Sequence, residues 1–121
     1  MAIEPLTGLY PLMSKVALGF KSPYSGYYAE THAGGRLALA MRFAGLEAVV
    51  LRRKAPHPVY LVLGDREFAC KDAWHLWGMD ASQAARLIRQ KEGRGRGRRS
   101  ILRIGPAGEN LVKYVSLCCD P

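Results

Sequence analysis

A β-hairpin pattern in the middle of the chain constrains the fold more than any other feature. An apolar run at residues 59–63 and a returning segment at residues 66–70 are joined by Gly64-Asp65, a pair that is typical of a tight turn. A basic and proline-marked stretch, residues 52–58, precedes the first run and indicates a connection. The pattern predicts two antiparallel strands at the centre of the chain.

Capping residues predict two helices directly after this hairpin. Asp72 can cap a short helix at residues 73–77, which Gly78 would end, and Asp80 can cap a second helix at residues 81–91. The second helix has an apolar side that can pack and a basic side. The apolar side consists of Ala84, Ala85, Leu87 and Ile88, and the basic side includes Arg86 and Arg89.

The first half of the chain contains one clear helix. Residues 36–45 are good helix formers that end in a glycine, and residues 46–51 have the β-branched, apolar character of a strand. Residues 1–34 are rich in Gly, Pro and Tyr and predict only a short element near residues 12–18, followed by a loop. Three tyrosines of this loop are expected to cover the core: Tyr24, Tyr27 and Tyr28.

The end of the chain completes the predicted fold. Residues 100–104 and 111–117 indicate a second hairpin across a connection with Gly and Pro. We therefore expect an α+β fold with about four strands, in two hairpins, and three helices. Because 121 residues suffice for one hydrophobic core and not for two ordinary domains, residues 1–121 are predicted to form a single domain.

The sequence predicts a cytoplasmic location and no membrane partner. No uninterrupted apolar run approaches the roughly 20 residues needed to cross a bilayer, and the first residues lack the pattern of a signal peptide. The three cysteines, Cys70, Cys118 and Cys119, are an odd set with two adjacent members, so we expect reduced thiols.

Positive charge is concentrated in one segment near the end of the chain. The formal net charge is +8, from 18 Lys and Arg residues against 10 Asp and Glu residues. Between Arg86 and Arg103 lie eight basic residues and one acidic residue, whereas the other 103 positions carry 10 basic and 9 acidic residues. Within this segment, residues 92–99 are rich in alternating Gly and Arg, which predicts a flexible arm.

This concentration of positive charge predicts a polyanionic partner. The first hypothesis is nucleic acid, and DNA more than RNA, because guanidinium groups make bidentate contacts to phosphate and to guanine. The predicted contacts are Arg86, Arg89, Lys91, Arg94, Arg96, Arg98, Arg99 and Arg103, with Arg52, Arg53 and Lys54 as auxiliaries. The alternative hypothesis is a small inhibitory or adaptor protein that docks the same basic patch on an acidic protein surface or a nucleoprotein complex.

A family resemblance agrees with the nucleic-acid hypothesis. Phe68, Lys71, Asp72 and Gly78 match, without a gap, a pattern of strand, turn, Phe, a Lys-Asp pair that opens a helix, and a closing Gly. In this register, residues 59–115 resemble the Bro-N domain of antirepressor-like regulatory proteins from phages and large viruses. The resemblance implies a DNA-binding regulatory module of phage or mobile-element type.

The sequence contains no recognisable catalytic or cofactor motif. His32, His57 and His75 are far apart and lack zinc-binding spacing, and no Walker A, Rossmann or G-x-S-x-G pattern occurs. Glu30 and His32 precede Gly34-Gly35, so a base could lie beside the start of a helix, where anions bind. The third hypothesis is therefore a small transferase with a phosphorylated cofactor. We predict a binding protein without enzyme activity, cofactor or metal.

Overall fold

The structure is a computed structural model that describes residues 1–64, 68–93 and 99–119. Short strands and helices alternate along these ranges. The strands are β1 (Ala2–Ile3), β2 (Val16–Lys21), β3 (Tyr28–Ala33), β4 (Val59–Leu63), β5 (Phe68–Asp72), β6 (Leu102–Arg103) and β7 (Cys118–Cys119). The helices are α1 (Arg36–Phe43), α2 (Ala81–Lys91) and α3 (Pro106–Glu109), and a 3₁₀ turn spans Trp74–Leu76.

The first sheet packs one of its faces into the core. Strands β1, β2 and β3 are antiparallel and lie side by side in that order. Side chains alternate across a strand, so Val16 and Leu18 of β2 share a face, and both are buried. They cluster with the buried side chains of α1, which are Leu37, Ala38 and Met41. Removal of these apolar side chains from water holds sheet and helix together.

The end of the chain returns to this core. Leu102 of β6 and Cys119 of β7 are opposite each other in a two-stranded sheet and are partly buried against the same apolar cluster. The central hairpin, β4 and β5, forms a separate two-stranded sheet. After it, Ala73 and Leu76 are buried, as are Ala84 and Ala85 of α2.

The α+β class is confirmed, and the central elements lie where the sequence predicts them. The four strands of five or six residues, β2 to β5, form two hairpins. Asp80 caps α2, because its carboxylate accepts hydrogen bonds from the amides of Ser82 at 2.7 Å and Gln83 at 3.0 Å. Asp72 accepts one from the amide of Trp74 at 3.2 Å and so opens the 3₁₀ turn.

The predicted strand at residues 46–51 is wrong, although part of it is paired. Ala48 forms an isolated bridge with Ala2, and the amide of Val49 donates to the carbonyl of Met1 at 2.8 Å. The pairing stays short because β1 has only two residues. Proline at position 5 lacks the amide that a longer ladder would use.

The second hairpin also lies elsewhere than predicted. Residues 111–117 form no strand, because α3 ends in a turn in which the amide of Val112 donates to the carbonyl of Ala107 at 2.9 Å and Leu111 adopts a left-handed φ of 56°. The hairpin is instead β2 with β3, in the region predicted as a loop. Of the predicted arm at residues 92–99, residues 94–98 lie outside the described ranges.

None of the helices in the described ranges is both long enough and apolar enough to span a membrane.

Candidate functional site

The open face of the first sheet carries a row of three polar side chains. Tyr28, Glu30 and His32 alternate along β3, so all three lie on the face opposite the buried one. Their cross-strand neighbours on β2 are Lys21, Gly19 and Ala17, respectively. Because Gly19 and Ala17 are small, no large side chain of β2 lies directly opposite Glu30 or His32. We call these three side chains the polar row.

Two short contacts link the polar row from end to end. The Tyr28 hydroxyl donates to Oε2 of Glu30 at 2.7 Å, and Nε2 of His32 lies 3.1 Å from Oε1 of the same carboxylate. The row remains open to solvent, with 55% of the His32 side-chain surface and 45% of the Glu30 surface exposed. The hydrogen bond to Glu30 raises the pKa of Tyr28, since the neutral phenol donates to an anion.

Gly19 makes room for the polar row. A Cβ atom at position 19 would lie 3.0 Å from the hydroxyl oxygen of Tyr28 and 3.1 Å from its ring carbon Cε2. The Tyr28 ring therefore leans across the strand towards Gly19, which brings its hydroxyl group to Glu30. A larger residue at position 19 would force the ring to move.

The start of α1 follows the His32 end of the polar row. Gly34 and Gly35 join β3 to α1, and Gly35 has a φ of 97°, which favours glycine. The Ser14 hydroxyl donates to the carbonyl of Gly35 at 3.0 Å, so the segment before β2 holds this turn. No side chain in the described ranges caps the first amides of α1.

Glu30 and His32 were predicted as a pair, whereas Tyr28 was predicted to cover the core. The expectation that Tyr24, Tyr27 and Tyr28 cover the core is wrong, because each is more than two-thirds exposed. The signal was present as a spacing of two residues between Tyr28, Glu30 and His32, which places side chains on one face of a strand. Because the segment was predicted to be a loop, this spacing was not interpreted as one face of a strand.

The residues of the basic segment lie in several different environments. Arg86 is exposed on α2, Arg89 is half-buried, and Nζ of Lys91 lies 3.0 Å from Nε2 of His75. Arg52, Arg53 and Lys54 are exposed in the connection before β4. Three predicted contacts, Arg94, Arg96 and Arg98, lie outside the described residues.

Glu92 joins the end of α2 to the central hairpin. Nζ of Lys71 lies 2.7 Å and 2.9 Å from its two carboxylate oxygens, and the Tyr60 hydroxyl donates to Oε1 at 2.9 Å. The hydrogen bond from Lys71, followed by that from Tyr60, lowers the pKa of Glu92. Burial, together with the hydrogen bond to Glu92, raises the pKa of Tyr60.

Arg99 and Arg103 point into the protein. Nη1 of Arg99 donates to the carbonyl of Arg89 at 3.2 Å and to the carbonyl of Glu92, so it satisfies groups that the end of a helix leaves open. Arg103 is half-buried, and its Nε and Nη1 atoms have no hydrogen-bond partner within the described part of the chain. Neither residue presents an open guanidinium to a long polyanion.

The described ranges offer no set of protein ligands for a metal ion. These ranges contain no group of three or more His, Cys, Asp or Glu side chains that could hold one. None of Cys70, Cys118 and Cys119, all described, is in a disulfide bond.

Comparison with known proteins gives a consistent family. The model of the aldehyde ferredoxin oxidoreductase N-terminal domain matches residues 1–121. The chain is 36% identical over 99% of its length to a tungsten-containing aldehyde ferredoxin oxidoreductase of Pyrococcus furiosus, and it covers 20% of that protein. An enzyme of the same description from Pyrococcus horikoshii is 37% identical over 96% of the chain, which covers 19% of it. The chain thus spans about a fifth of the length of these relatives.

A solved structure agrees with this family. The active-site complex BamBC of benzoyl coenzyme A reductase, in complex with 1,5-dienoyl-CoA, superposes with a TM-score of 0.81 at 30% identity. The superposition covers 88% of this chain and 16% of that one. The fold of most of this chain is therefore also present in part of that complex.

These comparisons correct the functional predictions from the sequence. The resemblance to Bro-N domains is wrong, because a short hairpin followed by a capped helix produces the same few matching residues in an unrelated family. Four further predictions are wrong: the function as a nucleic-acid-binding regulator, the adaptor alternative, the partners and the absence of enzyme activity. The chain belongs to the family of aldehyde ferredoxin oxidoreductase N-terminal domains.

Proposed function

We propose that this chain acts, as one domain of residues 1–121, in a tungsten-dependent oxidoreductase that oxidises aldehydes and passes the electrons to ferredoxin. The observation that carries this proposal is the family match over all 121 residues, together with four relatives named as tungsten-containing aldehyde ferredoxin oxidoreductases at 35% to 37% identity. A cytoplasmic location is part of this proposal, because reduced thiols persist in that compartment.

The surface of the chain supports a role as one part of a larger enzyme. Leu12 is 98% exposed, and Val50 and Leu111 are each 78% exposed. Exposed apolar side chains in such number are typical of surfaces that pack against other protein segments. We propose that the remainder of the enzyme covers these side chains and leaves the polar row facing an enclosed site.

We propose that other parts of the enzyme hold the tungsten. The described residues contain no group of three His, Cys, Asp or Glu side chains that could hold a metal ion. This chain would then form one side of the reaction site. When bound, tungsten would supply the change of oxidation state that accepts electrons from the substrate.

Aldehydes are the proposed substrates because the relatives that share the most sequence are named for them. Two other matches are named for different substrates: an aliphatic sulfonate oxidoreductase subunit of Pyrococcus furiosus, 32% identical over 93% of the chain, and the benzoyl coenzyme A reductase complex. Both serve as alternatives in the test.

The test is purification of the native enzyme through an affinity tag on this chain, produced in its source cells. We expect tungsten in a fixed ratio to the chain, and reduction of a viologen dye that starts when an aldehyde is added. An aliphatic sulfonate and benzoyl coenzyme A are offered separately. A homogeneous preparation that contains no tungsten and reduces no dye with aldehyde contradicts the proposal.

A further inference from the structure

One face of the central hairpin is linked to other parts of the chain. Side chains alternate between the two faces of a strand, and Tyr60 of β4 lies directly opposite Lys71 of β5. Both donate hydrogen bonds to the carboxylate of Glu92, at the end of α2. The ring of His75, in the 3₁₀ turn, packs edge-on against the Tyr60 ring with 6.3 Å between the centroids. This face of the hairpin is therefore held to α2 and to the turn before it.

The opposite face of the hairpin is apolar and exposed. Its side chains alternate along the two strands with those that contact Glu92. They are Val59, Leu61 and Leu63 of β4 and Phe68 and Cys70 of β5, and we call them the apolar face. Phe68 is 71% exposed, Leu61 is 37% exposed, and Cys70 is exposed too. Asp72, at the end of β5, is the one charged residue on this side of the two strands.

Five neighbouring side chains of this kind on one sheet face indicate a missing layer. Single exposed apolar residues are ordinary on protein surfaces, whereas a contiguous apolar patch marks a surface that packs against protein. A sheet of only two strands is also marginally stable until a face packs against another layer. The Cys70 thiol is the one polar side-chain group of the apolar face, and a thiol is a weak hydrogen-bond donor. The surface that covers this face is therefore apolar rather than charged.

The rest of a larger enzyme is the occupant that the size of the apolar face suits. An interface between separate proteins takes roughly 20 to 30 residues from each side, and the apolar face has five. A second copy of this chain would therefore gain too little from this face alone. A segment of the same enzyme is held at high effective concentration, so a small apolar area suffices. The relatives contain such further segments, because the chain covers 20% of the Pyrococcus furiosus enzyme and 16% of the matching chain in the benzoyl coenzyme A reductase complex.

We propose that the apolar face of the central hairpin packs against an apolar segment of the remainder of the enzyme. This inference rests on the proposed function, which makes the chain one part of a larger enzyme. The hairpin then lies between two layers, with α2 joined through Glu92 on one face and the added segment on the other. Removal of Phe68 and Leu61 from water stabilises this packing.

Cys70 reports on this packing without any substitution. Iodoacetamide modifies accessible thiols, and mass spectrometry of the peptide that contains Cys70 gives the rate. In the tagged native enzyme we expect modification to be slower by roughly 10²-fold or more than in the same enzyme unfolded in denaturant, because a covered thiol reacts only when the structure opens. The protection should not change on dilution, since the occupant belongs to the same enzyme. Equal rates in the native and the unfolded enzyme, or protection that is lost on dilution, would overturn the proposal.

A cross-link identifies the occupant. A photoreactive benzophenone analogue of phenylalanine replaces Phe68 in the tagged enzyme, and peptide mapping after illumination shows what it joins. We expect a cross-link to a peptide of the same enzyme that lies outside residues 1–121. The matched control places the same analogue at Tyr60, on the face linked to α2, where we expect cross-links within this chain. The proposal is overturned if position 68 joins a second copy of this chain, or joins nothing while position 60 cross-links.

The results separate this inference from the proposed function. If the tagged enzyme shows no aldehyde-dependent activity, the proposed function fails, whereas protection of Cys70 and a cross-link to another part of the enzyme still support the apolar face as an interface. An active enzyme in which Cys70 reacts freely and the cross-link is missing overturns this inference and leaves the proposed function intact.

Discussion

Nζ of Lys71, in β5, lies 2.7 Å from Oε1 of Glu92, the residue that directly follows α2. Tyr60 of β4 donates to the same carboxylate, so both strands of the central hairpin are joined to the end of the helix. The acidic residue inside the basic segment therefore has a structural role. It fixes the end of α2 against the central hairpin.

Glu92 should make stability depend on pH. The pKa of Glu92 is lower in the folded chain than in the unfolded chain, so its contribution is complete at neutral pH and is lost as the pH falls through the folded pKa. We expect Glu92→Gln to lower the free energy of unfolding by about 1 kcal/mol at pH 7, a value reduced for partial exposure, and by less in acid. Denaturant unfolding at both pH values measures this.

The control for Glu92 is Glu47→Gln. Glu47 is 85% exposed in its side chain and lies 3.9 Å from Arg42, a distance at which a surface ion pair contributes little. Its substitution should leave stability nearly unchanged at either pH. Equal effects of the two substitutions would contradict the role assigned to Glu92.

Tyr28 should titrate at a higher pH than a free tyrosine. The hydrogen bond to Glu30 raises the pKa of Tyr28 because ionisation would place a phenolate beside a carboxylate. Near-ultraviolet absorbance during an alkaline titration follows phenolate formation, and subtraction of the Tyr28→Phe curve isolates this group. In Glu30→Gln we expect the Tyr28 transition at lower pH; an unchanged transition would refute the contact.

Gly108 should not tolerate a methyl group. A Cβ atom there would lie 2.8 Å from Cβ of Ile104 and 3.1 Å from Cγ2 of Val115. Alanine normally favours a helix over glycine, but this contact is too close to be relieved by a rotamer change, so overpacking should dominate and cost about 1–3 kcal/mol. Gly93→Ala is the control, because its nearest atom is 3.9 Å away. Thermal melts that rank Gly108→Ala as the more stable variant would be inconsistent with this packing.

The arginines should separate into structural and exposed groups. Arg99 donates to two carbonyls at the end of α2, so we expect Arg99→Ala to lower the free energy of unfolding by about 1 kcal/mol. Arg86 is exposed on the same helix, and Arg86→Ala should change stability by less than about 0.5 kcal/mol. If chemical denaturation shows the two substitutions to be equivalent, Arg99 does not hold the helix end.

Strong local signals made part of the fold predictable from the sequence. Asp80 and the apolar side of α2 define a helix from its own residues, and the central hairpin has an apolar first strand followed by a turn pair. The strand β3 lacked such a signal, because its core-facing positions include only Ala29 and Ala33 as apolar residues. Its partners, rather than its own composition, make it a strand.

The function could not be predicted from charge, because charge density does not specify what a side chain contacts. Arg99 donates to backbone carbonyls at the end of α2, and Glu92 forms an ion pair with Lys71 of the central hairpin. The pairing of Glu30 with His32 was visible in the sequence, whereas the link to Tyr28 depends on the register with Gly19.

The most direct measurement of the central claim is the rate at which the native enzyme, purified through a tag on this chain, reduces ferredoxin when an aldehyde is added. The account predicts a rate that depends on aldehyde concentration and that follows the tungsten content from one preparation to the next. Ferredoxin that stays oxidised at every aldehyde concentration, with an enzyme preparation that is intact and contains tungsten, would contradict it.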